Sequence, residues 1–389
     1  MKNAQENKSK PVIMQVLPAL EQGGVERTAV DIAAALVQND FDAIVVSSGG
    51  PMVHELNRTG ATHITLPVDS KNPLTIKRNI KRLGEIIKAY KVNIVHVRSR
   101  APAWSAYFAA KSAGIPFVTT FHGTYNLGGF LKKKYNAIMT KGDRVIANSD
   151  FIRRHIMDNY KLKWTPIRVI ARGVNINYFD PQKVPAERVV KLATEWRLPD
   201  GVPVVMLPGR LTSWKGQLLL IKALSKLDRD VRCLLVGSSQ GRAGYVEEIE
   251  ALTAKLKLTD SVHIIDNCRD MPAAFKLADV IVSASTDPEA FGRVAVEGQA
   301  MGRPVVAPNH GGAPEQITPN ITGWLFKPSD ADDLARKLDK ALSLTAEERS
   351  LLHERCIQNV HDKFTNDLMC KKTLDIYREL LAKPDGASE

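Results

Sequence analysis

The chain has 389 residues, 44% of them hydrophobic and 25% charged, and a formal net charge of +12. That length exceeds one comfortable hydrophobic core and suits two α/β domains of roughly 180 residues each, while the composition excludes disordered and fibrous classes. Divided at an apparent linker near residue 185, the first part carries 27 Lys and Arg against 13 Asp and Glu, a net of +14; the rest carries 27 against 29, a net of −2. A field this one-sided suits a polyanionic partner or a solvated basic face. The partner classes are an anionic membrane surface, a phosphorylated acceptor or nucleic acid. Nucleic acid is set aside, because neither a stacking-aromatic series nor a DNA-binding motif accompanies the charge.

Cys233, Cys268, Cys356 and Cys370 lie far apart, with no CxxC pair and no His at ligand spacing, so neither disulfides nor a zinc site is expected. The first ten residues are polar and lack the apolar core of a secretory signal, and no run approaches the ~18 apolar residues of a membrane span. The expected address is the cytoplasm, with peripheral contact on the inner face of the cytoplasmic membrane open to it.

In chain order, short β-branched runs start at residues 12 (VIMQVL), 43 (AIVVSS), 93 (NIVHVR), 117 (FVTTFH) and 144 (RVIANS). Helical periodicity separates them, as in TAVDIAAALVQ after the first run and IKRNIKRLGEIIKAYK before the third. Such runs read as strands of a parallel sheet buried on both faces. The loop after the first run ends in Gly23 and Gly24, but it has neither the GxGxxG dinucleotide fingerprint nor the lysine of a P-loop. His122 follows the fourth run and precedes Gly123; a neutral imidazole there can hydrogen-bond a sugar hydroxyl or act as a general base. The other histidines, His310 among them, have no distinguishing context. Basic clusters at KRNIKR, at Arg98 in RSR, and at Lys132 and Lys133 in GGFLKKKY make the acceptor-side candidates, together with Gly23. Each Lys or Arg near an anionic leaflet adds ~1 kcal/mol, which makes GGFLKKKY a candidate membrane contact.

After RGVNINYFDPQKVP the alternation restarts, with runs at 204 (VVMLPG), 231 (VRCLLVG), 262 (VHIID), 280 (VIVSAS) and 304 (PVVAP). The loop PGRLTSWKG brings Arg210 and Lys215 onto one turn kept compact by Gly209 and Gly216. Two cations at the carboxyl edge of a sheet suit a diphosphate, whose charge grows as its bond to a sugar breaks. In DPEAFGRVAVEGQAM, Glu289 lies on a loop and Glu297 one turn into the helix that follows. The amides around Phe291, Gly292, Arg293 and Val294 form a helix N-terminus suited to phosphate, with Gly292 permitting close approach. Carboxylates on either side of it suit sugar hydroxyls, because an ionised carboxylate is a strong acceptor for a vicinal pair. A nucleotide-sugar has that shape. The final stretch, TNDLMCKKTLDIYRELLAK, is a helix. Two open α/β sheets in tandem offer two carboxyl-edge crevices, expected to face each other across one cleft.

The Glu-x7-Glu spacing of Glu289 and Glu297, with GRLTSWKG, the GGVER loop, His122-Gly123 after a strand, and VIANSDFIRRHI, resembles the family 4 retaining glycosyltransferases of the GT-B fold. The likeness runs over roughly residues 11 to 380. It implies two Rossmann-like doubly wound domains: 1–185 binding the acceptor, 186–365 binding the nucleotide-sugar, and a terminal helix over 366–389 packing back on the first. It further implies that Arg210 and Lys215 hold the diphosphate and Glu297 the ribose. Glu289 would contact the donor sugar, with the Phe291 and Gly292 amides nearby, Gly24 would approach the phosphate, and His122 would touch the transferred sugar. The family's chemistry retains anomeric configuration without a metal, and no DxD motif stands at a strand end here, so no cofactor beyond the nucleotide-sugar co-substrate is expected. The implied acceptor is a phosphorylated or lipid-linked saccharide of the cell envelope, such as lipopolysaccharide core. A sugar-nucleotide epimerase, a phosphorylase and a non-catalytic nucleotide-sugar sensor are the alternatives.

Overall fold

A computed structural model describes residues 10–382 apart from residue 22, residue 126 and residues 163–165. The first nine residues of the polar N-terminal segment, and residues 383–389 of the expected terminal helix, lie outside the described residues. The chain divides into two compact units, residues 1–171 with 367–389, and residues 172–366.

The first unit is built on a seven-stranded sheet: β1 (Val12–Val16), β2 (Asp42–Ser47), β3 (Thr62–Thr65), β4 (Ile94–Val97), β5 (Phe117–Phe121), β6 (Arg144–Ala147) and β7 (Ile167–Val169). Their order is β3-β2-β1-β4-β5-β6-β7, with every pair parallel. Strands β1, β4 and β5 are buried along their whole length, as sheets covered by helices on both faces require. Strands β3 and β7 were not among the expected ones. They are edge strands of four and three residues, and β3 reads THIT, with no residue fully buried. A core-facing hydrophobic run is therefore absent from their sequence.

The second unit holds β8 (Val204–Pro208), β9 (Arg232–Val236), β10 (Val262–Ile265), β11 (Val280–Val282), β12 (Val305–Pro308) and β13 (Gly323–Phe326), in the order β10-β9-β8-β11-β12-β13. All pairs are again parallel. The additional strand β13 opens on Gly323, whose φ of +154° and close approach to the Val305 carbonyl suit only glycine, and that disguises a strand in the sequence.

Two expectations are corrected. The boundary lies at 171/172 rather than at 185/186. Val174 bridges to Thr365, Phe179 meets Phe275 edge-on at 5.6 Å, and Val184 is buried in the second core, so residues 172–185 pack as part of the second unit despite their linker-like composition. Arg98 is not an acceptor-side surface residue. It is 2% exposed at the end of β4, its Nε donates to Gln15 Oε1 at 2.8 Å, and burial lowers its pKa. Tyr377 lies beside it, on the helix Asn366–Leu381, which seats Met369, Leu374, Tyr377 and Leu380 in the core of the first unit. Composition marks an arginine as basic but cannot say that a returning helix covers it.

Each strand order reverses once, between β1 and β4 in the first unit and between β8 and β11 in the second. Ligands of open α/β sheets bind outside the carboxyl ends at such a switch point. In the second unit the loop with Arg210 and Lys215 leaves β8 and the loop with Glu289 leaves β11, so both motifs start from adjacent strands at that position.

Candidate active site

After β8 the chain turns sharply. Gly209 has φ +148° and leaves room for the stem of Lys215, whose Cδ and Cε lie 3.7 Å from where a Cβ would stand. Gly216 has φ +75° and sits so close to the Ala284 carbonyl that any side chain would collide with it. Glycine is thus required here both for conformation and for contact between the two loops. The loops are also tied by Thr286, whose amide donates to the Trp214 carbonyl at 2.8 Å.

This docking places the Lys215 ammonium 2.7 Å from Glu289 Oε1 and 4.6 Å from the Trp214 ring centroid. The Lys215 and Glu289 side chains are 13% and 19% exposed. Ser285, fully buried, donates its hydroxyl to the same Oε1 at 2.5 Å. Glu289 Oε2 has no hydrogen-bond partner among the described residues and lies on the side of Gly292.

Gly292, at φ +81°, precedes the helix Arg293–Ala300, which begins without a side-chain cap. Its first amides, including Val294, therefore have no intrahelical acceptor and are available to an anion. Phe291 is buried and meets Phe364 edge-on at 5.9 Å, while its carbonyl accepts from Gln316; its ring anchors the turn and only its backbone is offered to a ligand. Glu297 is 13% exposed and has Arg293 Nε 3.6 Å away. Burial pushes its carboxyl pKa up, against the pull of Arg293, Lys215 and Arg172. It is not an ordinary solvated first-turn glutamate. Arg210 is exposed and forms no ion pair among the described residues; its carbonyl accepts from Gln217, which opens the next helix.

The structure thus brings Lys215, Glu289, Glu297, Gly209, Phe291, Gly292 and Val294 to one edge of the second unit. Arg210 stands on the same loop as Lys215, and the other candidates belong to the first unit. Gly23 is extended at φ −162° and precedes the helix Gly24–Gln38 at the end of the β1 loop. His122 directly follows β5 and is half-buried, and Lys132 and Lys133 are exposed on the helix Phe130–Asn136. Among the described residues no group of three or more His, Cys, Asp or Glu could hold a metal ion.

The sequence reading missed the supports of Glu289. The turn His310-Gly311-Gly312 after β12 closes on the Glu289 loop: His310 Nε2 donates to the Ser285 carbonyl at 2.9 Å and the Gly312 amide to the Glu289 carbonyl at 2.9 Å. At Gly311, φ +63°, a Cβ would lie 2.5 Å from the Glu289 carbonyl oxygen. A His-Gly-Gly triplet at the carboxyl end of a strand next to β11 was the available signal; His310 had been given no role.

Residues 22–178 match the family described as Glycosyltransferase Family 4, and residues 191–362 that described as Glycosyl transferases group 1. A glycosyltransferase from Rickettsia africae, solved as a crystal structure, is 44% identical, with 96% of this chain and 100% of that one aligned at a TM-score of 0.91. The chain belongs to the family 4 glycosyltransferases of the GT-B fold. The D-inositol 3-phosphate glycosyltransferase of Xylanimonas cellulosilytica is 29% identical over 61% of this chain, and the match spans only 60% of that relative's length. Anabaena HepE, solved in complex with UDP, shares the fold at 22% identity and a TM-score of 0.82, over 95% of this chain and 100% of that one.

Proposed function

We propose that this glycosyltransferase moves a hexose from a nucleotide-sugar to a phosphorylated or lipid-linked saccharide, with retention and without a metal, in cell-envelope glycan assembly such as lipopolysaccharide core. The observation that carries the reading is the meeting of Lys215 with Glu289, near Glu297, on the loops that leave β8 and β11 at the switch point. Lys215, Arg210 and the amides at the start of the helix Arg293–Ala300 bind the diphosphate; Glu297 takes the ribose hydroxyls and Glu289 those of the hexose. A solved complex of HepE with UDP supports a nucleotide-linked donor.

Glu289 orients the donor rather than attacking it, because Oε1 is already held by an ammonium and a hydroxyl. The bond from the anomeric carbon to the phosphate oxygen breaks while the acceptor oxygen bonds to that carbon on the same face. The departing phosphate oxygen takes the acceptor proton, and Lys215 stabilises the charge that grows on the diphosphate. In the first unit, Gly24 and His122 keep the roles the resemblance gives them, and Gly23 remains an acceptor-side candidate.

No helix among the described residues is long and apolar enough to cross a membrane. Phe130 and Leu131, each 79% exposed, precede Lys132, Lys133 and Lys134, a pairing of apolar and cationic surface that supports contact with an anionic leaflet.

The test is a panel of nucleotide-sugars screened for protection against unfolding, since a ligand at ~100 times its Kd adds about 2.7 kcal/mol. Transfer of label from the protecting donor to envelope saccharides follows. Lys215→Ala and Glu297→Ala, each still folded, should lose most transfer; wild-type turnover in either refutes the reading. Conversion of the donor without an acceptor would identify an epimerase, and tight binding without transfer a sensor.

A further inference from the structure

We propose that Ser285 is a positioning residue that, with Lys215, fixes one oxygen of Glu289 so that the other faces the donor hexose. This rests on the proposed donor site and adds to it the device that sets the orientation of Glu289.

A glutamate side chain on a loop has three rotatable bonds, and a free carboxylate would spread its acceptor directions over many rotamers. Here Oε1 receives both the Lys215 ammonium at 2.7 Å and the Ser285 hydroxyl at 2.5 Å, from two different strand ends. Two donors on one oxygen fix the carboxylate plane and leave Oε2 without a partner among the described residues. Ser285 is itself held. It is 1% exposed, and the Nε2 of His310 binds its carbonyl at 2.9 Å. The Gly311 turn presses against the Glu289 backbone, where a Cβ would stand 2.5 Å from its carbonyl oxygen. Side chain and main chain of Glu289 are therefore anchored by separate contacts.

The chemistry distinguishes Ser285 from Lys215. When a diphosphate arrives, the ammonium gains an anion that competes with Glu289 for its charge. The hydroxyl has no such competitor, so it keeps Oε1 in place through the donor-bound state. A hydrogen bond to a charged group is strong enough that its loss at a reacting centre lowers turnover by about tenfold or more. Positioning that matters only to the hexose leaves the nucleotide portion unaffected.

The experiment compares Ser285→Ala, Ser285→Thr and His310→Gln with the wild type, using the protecting nucleotide-sugar from the panel and its free nucleoside diphosphate. Ser285→Ala should bind the diphosphate within about twofold of the wild type yet turn over about tenfold or more slowly, because the diphosphate carries no hexose for Glu289 to meet. Ser285→Thr, which keeps the hydroxyl, should recover activity above the alanine variant, and His310→Gln, which keeps a donor amide, should stay closer to the wild type than Ser285→Ala. Wild-type turnover in Ser285→Ala overturns the inference, as does an equal loss of affinity for both ligands. If no nucleotide-sugar binds the wild type, the donor site fails as a reading. The hold on Glu289 is then read without ligand from a Ser285→Ala, Glu289→Ala double-mutant cycle in thermal unfolding: additive effects overturn it, and coupling supports it.

Discussion

The Lys215–Glu289 pair makes a quantitative test of the site without any ligand. At 2.7 Å and an effective dielectric constant of about 20, the attraction is about 6 kcal/mol before desolvation. Taking two ions out of water offsets much of that, but both side chains are more than four-fifths covered, so removing either one strands the other. Lys215→Ala should therefore destabilise the second unit by about 2 kcal/mol, a value below the fully buried limit because some solvent still reaches the pair. A unit spanning residues 172–366 shifts by about 2–4 °C per kcal/mol, which gives about 4–8 °C in calorimetry. Lys215→Ala combined with Glu289→Ala should lose less than the two single changes added together, with a coupling of about 1–2 kcal/mol. A coupling under about 0.3 kcal/mol would mean that the two side chains do not share an environment, and the site would dissolve with it.

Three further predictions follow from neighbouring features. Glu297 has a raised pKa, so its folded-state preference for the protonated form stabilises below the ordinary carboxylate range and is lost as pH rises through the folded value. Glu297→Gln should therefore melt above the wild type at neutral and alkaline pH, with the gap closing on acidification, while donor protection is lost; an unchanged gap across pH would contradict the burial of that carboxyl. Gly216→Ala forces a side chain into the Ala284 carbonyl at φ +75°, and should cost at least about 2 kcal/mol and abolish nucleotide protection, as read by thermal shift. Lys132→Glu with Lys133→Glu should leave stability within about 0.5 kcal/mol but reduce sedimentation with vesicles containing anionic lipid several-fold, since both side chains are exposed; equal sedimentation would remove the membrane from the proposal.

Nine of the ten strands read from the sequence are largely buried, and strands covered on both faces carry β-branched runs; the tenth, the half-buried edge strand β10, shows itself by its VHII run. The three that were missed lie at the sheet edges, where one side is open and the hydrophobic run is short or opens on glycine. The residues proposed to bind the donor were similarly legible. Gly209, Lys215, Glu289 and Gly292 occupy loops at strand ends, and Glu297 lies in the first turns of the helix that follows, where charge and glycine stand out against the apolar runs.

Sequence by itself thus determined the repeated α/β build, the place of each charged loop along it, and the chemistry those side chains can perform. Tertiary structure alone decided which charges are exposed and which are held: Arg98 under a helix that returns from nearly 280 residues later, residues 172–185 on the second core, and Glu289 against Lys215 from another strand end, its loop braced by the turn after β12. Local composition records what a side chain is. Burial and partnership depend on segments far apart in the chain, and those meet only when the sheets form.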